Sequence, residues 1–528
     1  MPPLAFPPRL HDLARMNAPA FDALARLATI GPAATTRAVT APFTGAVLGH
    51  VPEGTAACVE HAVALARAAQ PAWAAVPVRA RCHVAWRLHD LVLEHREAIL
   101  DVMQMESGKA RRDALEEVLD VALVARYYAA RAPGWLAPRR RRGAFPLLTK
   151  TTEHRAPLGV VGVIAPWNYP FTLALTDALP ALLAGNAVVL KPAETTPFTA
   201  LFALALLRAA GLPRGVMHVV PGAGETAGAA LAETADAVQF TGSTDVGRLV
   251  AAVAGRRLVP ASMELGGKNA ALVLADADLN AAALGVARAC FTNAGQLCVS
   301  AERVLVDARV YRSFRDRLAA RTRALRLAAD FSLATEVGSL ASAEGLAKTR
   351  AHVDDAVALG ARVLAGGTAR PDVGPFFYAP TLLEGVRPGM RAWSEETFGP
   401  VAALAPFETE NQAVALANET DYGLNASVWT RDAARGERIA ARLRCGTVGV
   451  NDPYGAAWAS VDAPMGGMKA SGLGRRHGEA GLLKFTDAQT VAVQRGRPLA
   501  PTDTEDAAVY FDRLTRALSF VRHVPGLR

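Results

Sequence analysis

The stretch FTNAGQLCVSAERV contains a cysteine, Cys298, whose thiolate could attack an electrophilic carbon. A free cysteine is more often a small buried apolar residue, so its presence alone does not decide its role. The five cysteines are an odd number, are widely scattered, and form no CxxC pair and no spacing that suits zinc. The sequence therefore predicts no metal site, and its cysteine usage favours the cytoplasm as a reducing compartment.

Two other residues have side chains suited to carbonyl chemistry. Glu264, in MELGGK, precedes two glycines that allow close approach of a ligand, and its carboxylate could serve as a general base. An ordinary ion pair, for example with Lys268, explains Glu264 equally well. Asn168, in PWNYP, offers a neutral N–H that could stabilise an oxyanion, although turn formation also explains an asparagine there.

Three further features are suited to binding a nucleotide. The glycines of GSTDVG, residues 242–247, would open a helix whose free N–H groups favour phosphate, although the motif is not GxGxxG and a plain turn explains it too. Lys191 ends an apolar run and could reach a ribose or phosphate, or simply be a solvated strand end. Glu194 could accept hydrogen bonds from a ribose diol, or be an acid at a helix start.

These residues follow short apolar runs that alternate with helical segments from Leu158 onward. The runs are VVGVIAP, AVVLKP, MHVVPG, DAVQFTG and RLVPASMEL. Such alternation predicts a parallel, doubly wound α/β sheet whose ligands gather at the carboxyl ends of the strands. A second alternation begins near Ala270 and continues through ERVLVDARV, RVLAGG and TVGVND, which predicts a second α/β domain. The region from Thr55 to Gly108 has the apolar spacing of two helices.

The order of the motifs identifies a family. PWNYP, LKPAETTP, FTGSTDVG, MELGGK, NAGQLC, EETFGP and PMGGMKASGLG occur in this order, and together they resemble the aldehyde dehydrogenase superfamily from about Pro42 to Thr490. The resemblance implies an α/β fold with a Rossmann-like cofactor domain, an α/β catalytic domain and a small oligomerisation segment. The implied division is an N-terminal extension (1–40), an NAD(P)-binding domain (41–137 and 157–263), a catalytic domain (264–450), oligomerisation segments (138–156 and 451–494) and a C-terminal tail (495–528).

The resemblance also implies the roles of individual residues. Cys298 corresponds to the nucleophile, Glu264 to the general base and Asn168 to the oxyanion amide. The positions implied to bind the cofactor are Pro166, Trp167, Lys191, Glu194, Gly224, Gly242, Ser243, Gly247, Leu265, Glu396 and Phe398. The implied reaction oxidises an aldehyde through a cysteine thioester, and the glutamate of MELGG favours water over coenzyme A as the acyl acceptor.

The substrate is predicted from three segments. NAGQLC, DYGLNASVW and the region around PMGGMKASGLG look most like bacterial succinate-semialdehyde dehydrogenases. Ser460 matches a serine that helps to hold the substrate carboxylate in such enzymes, whereas Thr176 and Thr292 stand where two arginines would complete that contact. A broad-specificity aliphatic or aromatic aldehyde dehydrogenase is therefore the alternative. A cofactor-free cysteine hydrolase and a catalytically silent scaffold are more distant ones.

The cofactor is predicted to be NAD or NADP, with NAD used at least as well. Glu194 would face the 2′-oxygen of the adenosine ribose, and its carboxylate would repel the 2′-phosphate of NADP.

Composition narrows the remaining classes. The chain has 528 residues, 51% hydrophobic and 20% charged, with a formal net charge of +8. Aromatic residues do not interleave with the arginines of 139–142, which argues against nucleic acid, and prolines interrupt the uncharged stretch before Asp177, which argues against a membrane span. The N-terminus lacks the pattern of a signal peptide, and Met16 could be the true start. We expect a cytoplasmic homodimer or homotetramer that acts on a small-molecule aldehyde, with an amphipathic helix in its tail.

Overall fold

A computed structural model describes residues 18–30, 35–143, 148–495 and 500–523. The choice between Met1 and Met16 as the start lies outside the described residues. The chain divides into two compact units. The larger unit comprises the described residues up to Trp135 together with Pro157–Thr486, and the smaller one comprises those of Leu136–Ala156 and Asp487–Arg528.

Helices are numbered along the chain. They are α1 (Ala18–Ala25), α2 (Ala56–Ala74), α3 (Val78–Glu94), α4 (Arg96–Ser107), α5 (Arg111–Trp135), α6 (Pro170–Leu183), α7 (Pro197–Ala209), α8 (Ala229–Thr234), α9 (Thr244–Arg257), α10 (Leu279–Phe291), α11 (Tyr311–Arg323), α12 (Ala343–Ala358), α13 (Arg391–Ser394), α14 (Glu410–Asn418), α15 (Ala433–Ala440), α16 (Gly455–Ala459), α17 (Gly478–Leu483) and α18 (Ala507–Val521).

Strands are numbered in the same way. They are β1 (Thr36–Thr40), β2 (Val47–Pro52), β3 (Arg139–Arg141), β4 (Thr149–Pro157), β5 (Val160–Ile164), β6 (Ala187–Lys191), β7 (Met217–Val219), β8 (Ala237–Thr241), β9 (Ala261–Glu264), β10 (Asn269–Val273), β11 (Ala301–Asp307), β12 (Arg362–Ala365), β13 (Thr381–Glu384), β14 (Val401–Phe407), β15 (Tyr422–Gly423), β16 (Asn425–Trp429), β17 (Thr447–Val450), β18 (Met468–Lys469), β19 (Gly472–Leu473) and β20 (Thr486–Gln494).

The first large sheet confirms the predicted doubly wound arrangement. Its order is β19-β9-β8-β5-β6-β7, in which the five strands from β9 to β7 are parallel and β19 pairs antiparallel with β9. Strands β5, β6 and β8 are buried along their whole length, which explains why they are continuous apolar runs in the sequence. Because the strands are parallel, their carboxyl ends meet at one edge: Ile164 pairs with Lys191, and Thr241 with Glu264.

The second large sheet has the order β12-β13-β14-β11-β10-β16-β17. It is parallel except for β12, which pairs antiparallel with β13. The predicted second α/β domain is therefore present, but β13, β14 and β16 were not among the predicted strands. Side chains from α10, α11 and α12 pack with this sheet into one apolar core.

The prediction of two helices between Thr55 and Gly108 is wrong, because three are present. The chain turns at His95, whose φ of −97° and ψ of 17° are not helical, so that α3 ends and α4 begins there. The apolar face continues across this break, from Leu88 on α3 to Ile99 on α4, both buried. Because the helical spacing of apolar residues continues across the break, sequence analysis cannot detect the turn at a single residue.

The smaller unit contains an antiparallel sheet in the order β20-β4-β3, with Arg139 of β3 paired with Glu153 of β4. The helix predicted in the tail is confirmed as α18. Its amphipathic sequence leaves Phe511 and Phe520 exposed within the part of the chain that is described.

Candidate active site

A tight turn presents Cys298. Helix α10 ends at Phe291 and a 3-10 turn follows over Thr292–Gly295. Asn293, Ala294 and Gly295 all have positive φ values, of 52°, 53° and 71°. Such a run is unfavourable for residues with a side chain, so surrounding contacts must stabilise it. At Gly295 a Cβ atom would lie 2.1 Å from the carbonyl oxygen of Gly399, so no other residue fits there.

Buried amide side chains hold this turn in place. The backbone N–H of Asn293 donates to Asp113 (3.0 Å), and the Gln296 side chain donates to the Asn293 carbonyl (3.0 Å) and accepts from the Ala341 N–H (2.9 Å). The Asn269 amide donates to the Cys298 carbonyl over 2.7 Å. The position of the Cys298 backbone is therefore fixed before any ligand binds.

The Cys298 thiol lies among acidic groups. Burial raises its pKa to about 12, and the carboxylates of Glu264 and Glu396 raise it further, whereas Arg476 and the Val299 N–H act in the opposite direction. The thiol is therefore protonated at neutral pH in the free protein. Attack by this sulfur requires a neighbouring base or an added positive charge.

Glu264 ends strand β9, and its carboxylate is suited to the role of a general base toward water. Its Oε1 is buried and accepts no hydrogen bond within the described part of the chain. Burial raises its pKa to about 7, against the opposing effects of Arg476 and Lys484. The ion pair considered as an alternative is absent, because the buried Lys268 ammonium pairs instead with Glu302. Glu264 thus exchanges a proton near neutral pH.

Asn168 lies in the turn before α6 and points its amide toward the same turn as Cys298. Its Nδ2 donates to the Gln296 carbonyl over 3.1 Å, and its own carbonyl accepts from Lys109 (2.7 Å) and from the Asn293 side chain (3.1 Å). Lys109 forms a buried ion pair with Glu117. The carboxylate of Glu117 also accepts the N–H groups of residues 171 and 172 in the first turn of α6. This network fixes the amide relative to the thiol.

A cavity of about 300 Å³ opens at the carboxyl edge of the first sheet, on one side of Cys298. Ten of the predicted site residues line it: Pro166, Trp167, Asn168, Gly242, Ser243, Glu264, Leu265, Cys298, Glu396 and Phe398. Ser243 caps helix α9, so the N-terminal end of that helix faces the cavity and favours an anion.

Glu396 and Phe398 reach this cavity from a loop that a buried acid supports. Glu302 accepts hydrogen bonds from the N–H groups of Thr397 and Phe398, each at about 3.0 Å. Glu396 accepts the Gly267 N–H through Oε1 (2.8 Å), while Oε2 accepts no hydrogen bond within the described residues. Burial raises the Glu396 pKa to about 7. Its free oxygen is available to a hydroxyl group of a ligand.

The remaining predicted cofactor residues do not line this cavity. Lys191 and Glu194 form an ion pair (2.8 Å), and the Gly224 N–H donates to the same carboxylate oxygen (2.6 Å). Lys191 ends β6, Glu194 follows it, and Gly224 lies after β7. Gly247, in the first turn of α9, packs against Leu265: a Cβ atom there would lie 2.4 Å from its side chain.

Sequence analysis missed several residues of the cavity. Three lie in the first turns of α12 or just before it, namely Ser342, Glu344 and Lys348. The N-cap residue Ser342 predicts a helix start, but no strand directly precedes it, so a rule based on strand ends could not place it at the site.

A second, narrower cavity lies on the other side of Cys298, with an open volume of about 20 Å³. Asn168 and Cys298 line both cavities. The other residues of the second cavity are Asp120, Tyr169, Thr172, Leu173, Thr176, Leu297, Trp458, Met465, Arg476 and His477.

Of the predicted substrate residues, only Thr176 lines this second cavity. The hydroxyl of Thr292 is partly buried and donates to the Arg288 carbonyl (2.9 Å). Ser460 is exposed, and its hydroxyl donates to the Ala456 carbonyl (2.7 Å).

The described residues contain no cluster of three or more His, Cys, Asp or Glu side chains arranged to hold a metal ion. Among their helices, none combines the length and apolar character needed to cross a membrane.

Residues 30–491 match the family model described as the aldehyde dehydrogenase family, so the chain belongs to that family. It is accordingly an NAD(P)-dependent oxidoreductase that acts on aldehydes. The first cavity has features that suit the phosphate and nicotinamide-ribose part of such a cofactor, because a helix N-terminus suited to phosphate and a carboxylate oxygen suited to a ribose hydroxyl both border it.

Similar proteins agree with this assignment. A protein of Mycobacterium tuberculosis (strain ATCC 25618 / H37Rv), named a putative NADP(+) succinate-semialdehyde dehydrogenase, is 48% identical over 97% of this chain and 99% of its own length. An NADP-dependent enzyme of E. coli has a similar structure (TM-score 0.86, 33% identity, covering 92% of this chain and 99% of that one). Betaine aldehyde dehydrogenase of Staphylococcus aureus in complex with NAD+ is also similar (TM-score 0.84, 31% identity, 89% and 94%).

Proposed function

We propose that Cys298, Glu264 and Asn168 oxidise an aldehyde to its carboxylic acid through a thioester. The observation that carries this proposal is that Cys298 and Asn168 line both cavities. An aldehyde in the narrow cavity and a cofactor in the larger one would therefore meet at a single carbon atom bound to the Cys298 sulfur. The family match favours this reaction over a cofactor-free hydrolase or a silent scaffold.

The steps follow from the residue types. The Cys298 thiolate attacks the aldehyde carbon, while the Asn168 amide and the Cys298 backbone N–H donate hydrogen bonds to the oxyanion. Glu396 and Phe398 would hold the nicotinamide, which would accept the hydride that leaves the same carbon, so that the sulfur adduct becomes a thioester. Glu264 then removes a proton from a water molecule that attacks the thioester, which releases the acid and restores the thiol.

We propose succinate semialdehyde as the substrate. The names of the mycobacterial relatives support this choice. Thr176 lines the narrow cavity, whereas the roles predicted for Thr292 and Ser460 stay predictions.

A panel of aldehydes compared by kcat/KM tests this substrate. Succinate semialdehyde is expected to exceed hexanal and benzaldehyde by about a hundredfold or more, because each charge-assisted contact to its carboxylate contributes about 1.5–3 kcal/mol. A large preference for hexanal or benzaldehyde would instead identify a broad-specificity enzyme.

We also propose that NAD is used at least as well as NADP. In support, the Glu194 carboxylate is held in place by Lys191 and the Gly224 N–H. The names of the mycobacterial relatives, which specify NADP(+), argue in the other direction. Rotation of Glu194 would release Lys191 to pair with a 2′-phosphate.

Replacing Glu194 with serine will shift preference toward NADP by about tenfold to several-hundredfold, because two like charges about 4 Å apart cost on the order of 1–4 kcal/mol near a protein surface. The measurement is kcat/KM for each cofactor at saturating aldehyde. Glu225→Ser, beside Gly224, is a control for loss of charge. A wild-type preference of tenfold or more for NADP would show that Glu194 does not control the choice.

We also propose a division of the chain into domains and an oligomeric state. The cofactor-binding domain is formed by 41–137 and 157–263, and the catalytic domain by 264–450. Residues 138–156 and 451–494 form the oligomerisation segments of a cytoplasmic homodimer or homotetramer.

A further inference from the structure

The narrow cavity contains an acid that the proposed reaction does not use. Asp120, on α5, lines it, and neither of its buried carboxylate oxygens accepts a hydrogen bond of normal geometry from the described residues, although the Trp458 and Thr172 side chains lie near enough to lower its pKa. Thr172 and Trp458 border the same space. A buried polar group without a partner is costly and is rare in folded proteins, so this carboxyl group is suited to a ligand that brings the missing partner.

A cation lies in the same wall. Arg476 is buried and donates through Nε to Asp177 (3.2 Å) and through Nη2 to the other oxygen of that carboxylate. Lys484 contacts Asp177 as well, at 3.5 Å. The three groups together carry a charge of +1. The Nη1 group of Arg476 donates no hydrogen bond within the described residues, and it remains available to an anion.

We propose that Arg476 and the protonated carboxyl group of Asp120 together bind the carboxylate of the aldehyde substrate. Arg476 supplies the positive charge, and the Asp120 hydroxyl donates a hydrogen bond to the second carboxylate oxygen. This inference rests on the proposed function, because it requires an acidic aldehyde. It explains how an acidic substrate could be held although Thr176, in the same wall, carries no charge.

The groups around Asp120 determine its protonation. On its own helix Glu117 faces it, itself paired with Lys109. The other charged or titratable groups of the same cavity are Arg476 and His477 from the segment before α17, and Tyr169 and Cys298. Asp177 of α6 pairs with Arg476 and contacts Lys484, and so affects Asp120 through Arg476.

Burial raises the pKa of Asp120 to about 7, against the opposing effects of the Trp458 side chain and of Arg476. His477 is neutral, because burial lowers its pKa to about 3. A substrate carboxylate beside Asp120 raises the pKa of Asp120 further, since two carboxylates in contact cannot both ionise without strong repulsion. At low pH the protonated carboxyl group of Asp120 therefore donates a hydrogen bond to the substrate carboxylate. Once the pH exceeds the raised pKa of Asp120, its carboxylate repels the substrate carboxylate.

The expected readout is the ratio of kcat/KM for succinate semialdehyde to that for butanal. Butanal has the same four carbons without the carboxylate, so the ratio cancels the titration of Glu264 and Cys298. In the wild-type enzyme the ratio should fall by about tenfold or more between pH 6 and pH 9, since a single proton gives at most about tenfold per pH unit.

Two variants of Asp120 distinguish the effect of its hydrogen-bond donation from the effect of its negative charge. Asp120→Asn keeps an N–H donor at every pH, so its ratio should be independent of pH. Asp120→Leu removes the donor, so its ratio at pH 6 should be about tenfold or more below that of the wild type. Asp101→Asn, which removes an acid from the α4 surface, should follow the wild-type profile.

Each result has one interpretation. This inference would be overturned, and the proposed substrate retained, by either of two results. One is a wild-type ratio that strongly favours succinate semialdehyde but does not change with pH, and the other is an Asp120→Asn ratio with the same pH dependence as the wild type. A wild-type preference for butanal at every pH would overturn the proposed substrate. If the enzyme prefers 4-aminobutanal and Asp120→Asn loses that preference, Asp120 acts as an anion that binds an ammonium group. The wild-type profile alone remains decisive if a variant fails to fold.

Discussion

Replacing Cys298 with alanine will abolish hydride transfer, with kcat/KM lower by about 10⁴-fold or more. No other thiol can substitute, because the sulfur must lie between the aldehyde cavity and the cofactor cavity, and no other cysteine lines either of them. The measurement is the appearance of reduced nicotinamide, by fluorescence, with aldehyde and cofactor both saturating.

Cys445→Ala is the matched control. Burial raises the pKa of Cys445 to about 12, as for Cys298, but Cys445 has no carboxylate beside it and lines neither cavity. This variant should retain wild-type turnover. Normal turnover in Cys298→Ala would refute the assignment of the nucleophile.

Replacing Glu264 with glutamine will separate the two halves of the reaction. We expect a rapid burst of about one reduced cofactor per site, followed by steady turnover about 10²–10⁴-fold below that of the wild type, because the amide cannot take a proton from water. Stopped-flow fluorescence resolves the burst from the steady state.

The pH dependence of the wild-type enzyme should agree with this role. The Glu264 pKa is raised to about 7, so the carboxylate form predominates above that pH and is lost below it. Deacylation should therefore fall by about tenfold for each pH unit below 7. Glu395→Gln serves as the control, because Glu395 is exposed and lies next to Glu396 in the loop that carries Glu396 and Phe398. Unchanged steady-state turnover in Glu264→Gln would exclude it as the base, whereas loss of both burst and turnover would assign it to activation of the thiol.

Much of the fold could be predicted because the first sheet is parallel. A parallel strand covered on both faces must be apolar along its whole length, so β5, β6 and β8 appear as short continuous runs in the sequence. The strands that were missed have no such signal. For example, β14 includes Pro406 and two alanines near its start, which resemble a loop or a helix as much as a strand.

The part of the site that could be predicted lies directly after strands, where backbone direction alone determines position. Glu264 and Lys191 are of this kind. Asp120 and Arg476 were not predicted, because each becomes part of the site only through tertiary packing. Asp120 lies on a long helix, seven residues after Asp113, and nothing local distinguishes a helical acid that faces a cavity from one that faces solvent.

The buried pair of Asp177 and Arg476 restricts how this chain can evolve. The two residues are 299 positions apart and belong to separate segments, yet losing Asp177 leaves Arg476 and Lys484 as uncompensated buried cations, and breaking a buried pair in this way costs about 3–5 kcal/mol. A lineage that reverses or neutralises Asp177 must change Arg476 almost at once. Homologues should therefore show these two positions substituted together, and a chimaera that joins an N-terminal half from one lineage to a C-terminal half from another should be unstable wherever the pair is mismatched.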